Sequence, residues 1–113
     1  MFAEHLAASA AAIQSLASIE AEVMRAAALM SDALRCGCKI MSCGNGGSAA
    51  EASHFSTELL CRLDGDRPSL ASMNLTADGS FMTATANDYS FQKVFARQIE
   101  GLGRKGDVLL ALT

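Results

Sequence analysis

The chain has 113 residues, half of them hydrophobic, 19% charged and 5% aromatic, with no Trp and a formal net charge of -3. This length predicts one small domain at most, and the apolar content excludes a disordered chain, which needs low hydrophobicity and high net charge. The acidic balance argues against a nucleic-acid binder held by a basic surface. No apolar run approaches the roughly 20 residues that span a bilayer, and Met1 onward lacks the basic and apolar regions of a secretory signal. Together these features lead us to expect a cytoplasmic protein.

From Phe2 to Arg35 there is no Gly or Pro, and Ala, Leu, Met, Gln, Glu and Arg dominate. All favour helix. Ile13, Leu16, Ile19, Val23, Ala27, Met30 and Leu34 step by three or four and mark one helix face. Ser18 punctuates the run, so one bent helix and two helices are both compatible with it. The small, Ala-rich faces predict contact with another subunit, and Gly37 reads as the C-cap.

Lys39–Cys43 is a short apolar run closed by Gly44-Asn45-Gly46-Gly47, a buried strand and a tight turn. A helix follows at once, with Ser48 as the expected N-cap and Glu51 completing a capping box. Asp64–Pro68 is a loop, 70–75 a weaker strand, and 77–84 a short helix or turn. Asn87-Asp88 is expected in a loop, and 90–102 reads as an amphipathic helix carrying Phe91, Val94, Phe95, Gln98 and Ile99. Gly103–Gly106 turns into a last apolar strand, Asp107–Thr113. Strands alternating with helices predict a parallel α/β sheet.

Four features are suited to chemistry. Glycines at a strand–turn–helix junction let backbone approach a ligand, and the helix N-terminus offers N–H groups to an anion such as phosphate. The run is neither a P-loop, lacking the Lys-Ser/Thr pair, nor a dinucleotide fingerprint, and a purely structural turn fits it equally. His54 and Glu58 stand at i and i+4 on the helix opened by this turn. That spacing suits a shared metal, a general base with its orienting imidazole, or a solvent-exposed pair. Parallel topology is expected to put both residues in the crevice at the carboxyl ends of the strands. Arg62, one further step of four, suits a phosphate, a sugar hydroxyl or Glu58 itself. Asn87-Asp88 suits polyol hydroxyls or an ordinary turn, and His5 is expected to face solvent. Cys36, Cys38, Cys43 and Cys61 lack metal or disulfide spacing and read as reduced, small buried hydrophobes.

Ser42–Ala50, His54–Leu59 with Arg62, Thr85–Tyr89, Val94–Ile99 and Leu102–Leu110 together resemble the phosphoheptose isomerases, of the sugar-isomerase (SIS) domain superfamily. The resemblance covers nearly the whole chain. It implies a flavodoxin-like α/β three-layer sandwich with a parallel sheet, in which residues 1–36 form a helical oligomerisation segment of a homotetramer and residues 37–113 form the βα units. It further implies conversion of sedoheptulose 7-phosphate to D-glycero-D-manno-heptose 7-phosphate through an enediol, the first step toward the heptose of lipopolysaccharide or surface polysaccharide. Asn45, Gly46 and Gly47 would line the sugar, and Ser48 would help hold the phosphate. His54 and Glu58 would bind zinc, one ion per subunit, with Glu58 also moving the proton. Asn87 and Asp88 would bind hydroxyls, and Arg62 the substrate end. Thr113 resembles the first residue of the family's Ser/Thr-rich phosphate loop. The family's later Gln and His metal ligands have no counterpart before Thr113. The expectation is therefore the N-terminal part of a domain, its C-terminal part missing, holding at most half of a metal site and inactive alone. Two rivals are a non-catalytic scaffold, like the relative that associates with the replication initiator DnaA, and a sugar-phosphate sensor. Glu58, which a scaffold does not need, favours the enzyme.

Overall fold

A computed structural model describes all residues, 1–113. Phe2–Ser15 (α1) and Glu20–Arg35 (α2) are two α-helices joined by a 3-10 turn over Leu16–Ile19. The break falls where the sequence carries serines. Ser15 Oγ donates to Ala12 O at 2.7 Å and Ser18 Oγ to Ser15 O at 2.8 Å, side-chain bonds that compete with the helical ladder. Ile19 then leaves helical geometry at φ -114°, ψ 20°. α1 buries no residue and α2 only Ala33. Gly37, at φ +78°, ends α2 as expected: its N–H reaches Leu34 O, and the Cys38 N–H reaches Ala33 O.

Ile40–Cys43 (β1), Ser72–Asn74 (β2) and Val108–Ala111 (β3) form a wholly parallel sheet in the order β2-β1-β3. Central β1 is buried at all four positions. Its side chains alternate between two faces. Ser42 Oγ donates to Ala52 O at 2.9 Å, and Ser72 Oγ to Ser56 Oγ at 3.1 Å, so one face packs on Gly47–Leu60 (α3). On the other face Met41, Cys43 and Leu75 form the core, covered by Met73, Phe95 and Ile99, the last in α5 (Ala96–Leu102). Helix, sheet and helix make three layers, the predicted α/β fold. The outer edge of β3 has no strand partner, and Leu109 is 44% exposed.

Several local expectations need correction. Helix α4 spans Gly79–Asp88, so Asn87 and Asp88 close a helix instead of lying in a loop. Asp78 sets its start, accepting the Phe81 N–H at 3.1 Å. The segment 90–102 is not one helix: a 3-10 turn over Phe91–Lys93 precedes α5. Of its expected apolar face, Val94 and Gln98 are buried and Phe95 and Ile99 half-buried, but Phe91, in the 3-10 turn, is exposed. Of the four cysteines only Cys43 is buried, and Cys36 and Cys61 are exposed. No helix is long and apolar enough to cross a membrane.

Candidate functional site

β1 leads straight into the glycine turn. Gly44 is buried, and a Cβ there would stand 2.6 Å from the Ser48 carbonyl group, so only glycine lets the strand pass the first turn of α3 so closely. Gly46 takes φ +57°, ψ -122° and is the N-cap, a backbone conformation barred to residues with a Cβ. Ser48 is therefore not the expected cap. It lies inside the first turn, its N–H donating to Asn45 O at 3.0 Å, and no capping box with Glu51 forms. The N–H groups of Gly47 and Ala49 donate to no backbone carbonyl. They point out of the positive end of a 14-residue helix, the arrangement that attracts an anion.

Thr113 arrives at the same place. Ala111 pairs with Cys43, and the Leu112 N–H donates to Cys43 O at 2.9 Å, so Thr113 follows directly on a residue bonded to the strand end that opens into Gly44. The chain runs outward from β1 to β2 and returns past β1 to β3, so β1 and β3 flank the topological switch point, where α/β sheets bind ligands. Asn45, Gly46, Gly47, Ser48 and Thr113 thus gather at one end of the sheet.

His54 and Glu58 meet each other but not this turn. His54 Nε2 and Glu58 Oε1 are 2.8 Å apart, with the side chains 71% and 29% exposed. Ala52 and Ser56 turn inward, which leaves 54 and 58 on the outward face. At about 1.5 Å rise per residue they sit roughly 10 and 16 Å along the helix from Gly47. The expected position in the crevice is therefore corrected: the pair lies beside the sheet. Glu58 Oε2 makes no hydrogen bond within the chain.

Imidazole nitrogen and carboxylate oxygen are both zinc donors. Donors in a tetrahedral zinc shell with bonds near 2.0–2.1 Å stand about 3.3 Å apart, so a pair at 2.8 Å needs only a small opening to admit an ion. The pair fits as part of such a shell. No group of three or more His, Cys, Asp or Glu side chains converges in the chain.

Arg62 lies beyond Leu60, the last residue of α3, so it does not continue the helical face of His54 and Glu58. Asn87 Nδ2 donates to Asp88 Oδ1 at 3.2 Å, both exposed, and α4 packs chiefly on the 3-10 turn that follows it. The residue missed by sequence reasoning is Arg67. It donates to Leu59 O and Pro68 O, each at 3.0 Å, and to Glu58 O. A lone Arg beside a Pro in an acidic loop gave no periodic signal.

A cleft of about 550 Å³ lies elsewhere, along the outer edge of β2 between α4 and α5. Asn74 Oδ1 holds Thr76, Asp78 caps α4 and Gln98 Nε2 donates to Leu75 O, while the Arg97 guanidinium lies over the Tyr89 ring, 4.1 Å from its centroid.

Known proteins share this fold. The SIS domain family matches residues 3–113. A phosphoheptose isomerase of Coxiella burnetii (strain RSA 331 / Henzerling II) is 49% identical over 112 residues, 99% of this chain and 55% of that protein. One from Alkalilimnicola ehrlichii is 54% identical over 85 residues, covering 75% and 43%. The solved phosphoheptose isomerase GmhA from Neisseria gonorrhoeae superposes with a TM-score of 0.91 at 42% identity, over 99% of this chain and 58% of that one. The chain spans about half the length of the curated relatives it matches. With a parallel sheet, a glycine turn at the switch point and a family match over all but two residues, this chain belongs to the SIS domain family.

Proposed function

We propose that the chain is part of a phosphoheptose isomerase, which converts sedoheptulose 7-phosphate to D-glycero-D-manno-heptose 7-phosphate. The observation that carries this reading is the Glu58 carboxylate, aligned on His54 at 2.8 Å on the helix that the glycine turn opens. The names of its relatives supply the substrate class, a phosphoheptose, and the motif resemblance supplies the particular sugar.

Glu58 is the proton carrier. Its Oε2, without a hydrogen-bond partner in the chain, takes a proton from C1 of the ketose and returns it to C2, while the proton of O1 passes to O2 through the enediol. His54 holds Oε1 in the metal-free chain, and an ion bound between the two would hold it in place of that hydrogen bond. The N–H groups at Gly47 and Ala49, with Ser48 and Thr113, form the polar end that receives the phosphate. The resemblance assigns Asn45, Gly46 and Gly47 to the sugar and joins them with Glu58 in one site, the two standing about 16 Å apart along α3 in this chain. Arg62, Asn87 and Asp88 enter the proposal on resemblance alone. Zinc, held in part by His54 and Glu58 at one ion per subunit, supplies Lewis-acid polarisation of the carbonyl when bound.

The unburied apolar side chains of α1 and α2, Leu6, Ile13, Leu16, Val23 and Met24 among them, support association through residues 1–36, and the resemblance makes that assembly a homotetramer. Cytoplasmic location, no nucleic-acid or membrane partner, and supply of heptose for lipopolysaccharide or surface polysaccharide belong to the same proposal. The presence of Glu58 favours this enzyme over a scaffold, and stoichiometric zinc in the extended protein would separate it from a sugar-phosphate sensor.

The test is turnover of sedoheptulose 7-phosphate by a chain extended to its relatives' length. Glu58→Gln is expected to lower turnover by about 10²–10⁴ while sugar-phosphate binding persists. Unchanged turnover overturns the proposal. The 113-residue chain, with two metal donors, is expected to give no turnover alone.

A further inference from the structure

We infer that Arg67 is a positioning residue for Glu58, holding the last turn of α3 in the helical register that presents the carboxylate to His54. The inference rests on the reading of Glu58 as the proton carrier. Glu58 is the third residue from the end of α3. Carbonyls of a final turn have no helical partner, and such turns fray. Fraying here would break the i, i+4 alignment that sets Glu58 Oε1 2.8 Å from His54 Nε2. The chain leaves the helix, turns through the exposed loop at Gly65, and brings Arg67 back beneath it. One guanidinium nitrogen donates to Leu59 O and the other to Glu58 O. The Leu70 N–H also donates to Leu59 O, at 3.0 Å.

Arg67 forms no salt bridge, although Asp64 and Asp66 lie in the same loop. Its donors go to backbone carbonyls. A planar fork spans two successive carbonyls of a helix end, and a positive charge there is favoured by the helix dipole. The ammonium of a lysine is a single point and serves such a pair less well.

The chain has two histidines, and His5 is exposed on α1, so ring-nitrogen NMR of the 113-residue chain isolates His54 and carries its own reference. Glu58→Ala fixes the His54 Nε2 resonance of the broken pair. Arg67→Met is expected to shift Nε2 most of the way to that position, with His5 and the amide signals of Ile40–Cys43 unmoved. Arg67→Lys is expected to fall between. An unshifted His54 ring in Arg67→Met with the sheet intact overturns the inference. Should Arg67→Met lose the sheet signals, Arg67→Lys decides by the same criterion. Loss of the sheet in both also overturns it, since Arg67 would then hold the fold and not Glu58. The ring resonance judges Arg67 whatever the turnover of the extended Glu58→Gln protein says of the isomerase reading.

Discussion

Lys39 and Asp107 fasten the starts of the two strands that flank the switch point. Asp107 Oδ1 accepts the Lys39 N–H at 2.9 Å, Oδ2 accepts from Lys39 Nζ and, at 2.7 Å, from the Arg104 N–H, and the Asp107 side chain is 5% exposed. The Lys39 side-chain hydrogen bond, then its backbone N–H, lower the Asp107 pKa to about 2. A carboxylate whose folded pKa lies below its unfolded value of about 3.9 contributes stability that is full above that value. This contribution declines as the pH falls from about 4 toward 2 and is absent below both values. Thermal unfolding is therefore expected to show a drop in midpoint over that window that Asp107→Asn lacks. At pH 7 the same substitution is expected to cost about 1.5–3 kcal/mol, the range for hydrogen bonds to charged groups.

The glycine turn yields a paired prediction. Gly44→Ala sets a Cβ 2.6 Å from backbone atoms of Ser48, which no rotamer change relieves, whereas a Cβ at Gly47 meets nothing within 4 Å. Denaturant unfolding is expected to show a loss of about 1–3 kcal/mol for Gly44→Ala, the usual cost of overpacking. Gly47→Ala is expected to stay within about 0.5 kcal/mol of the parent or gain slightly.

Periodicity and punctuation made much of this fold legible. The apolar run before Gly44 is β1, the spacing after it is α3, and the alternation of the two gives the parallel sheet. What escaped depends on hydrogen bonds that spacing does not encode. Ser48 resembles a cap, but Gly46 takes that position through a backbone conformation that only the tertiary turn reveals. Arg62 looks like the next step along α3, yet the helix stops two residues earlier, where Arg67 and Leu70 close it. The i, i+4 spacing of His54 and Glu58 predicted their contact. It was silent on which way the shared face points.

Gln98 is a buried polar anchor. Its Nε2 donates to Leu75 O at 2.6 Å and to Val94 O at 3.0 Å, tying α5 to the residue after β2. Gln98→Leu keeps the volume roughly but leaves the Leu75 carbonyl without that donor. A loss of about 1–3 kcal/mol is expected by chemical denaturation.

Thiol labelling separates the cysteines. Cys36 and Cys61 are exposed, while Cys43 is buried and its pKa is raised by desolvation. Because the thiolate is the reactive form, Cys36 and Cys61 are expected to modify first under native conditions. Cys43 is expected to react at an appreciable rate only once denaturant opens the sheet. Mass mapping of the labelled peptides checks the order.

The unpaired side of β3 has a consequence for handling the chain. Val108, Leu109, Leu110 and Ala111 carry no charge, and no proline interrupts them. Lysines, prolines and bulges are what usually keep such a row of N–H and C=O groups from pairing with another molecule. Until another strand covers that row, it adds a second route to association beside the exposed apolar side chains of α1 and α2. Edge-to-edge association is second-order and so rises with concentration, whereas unfolding is first-order and does not.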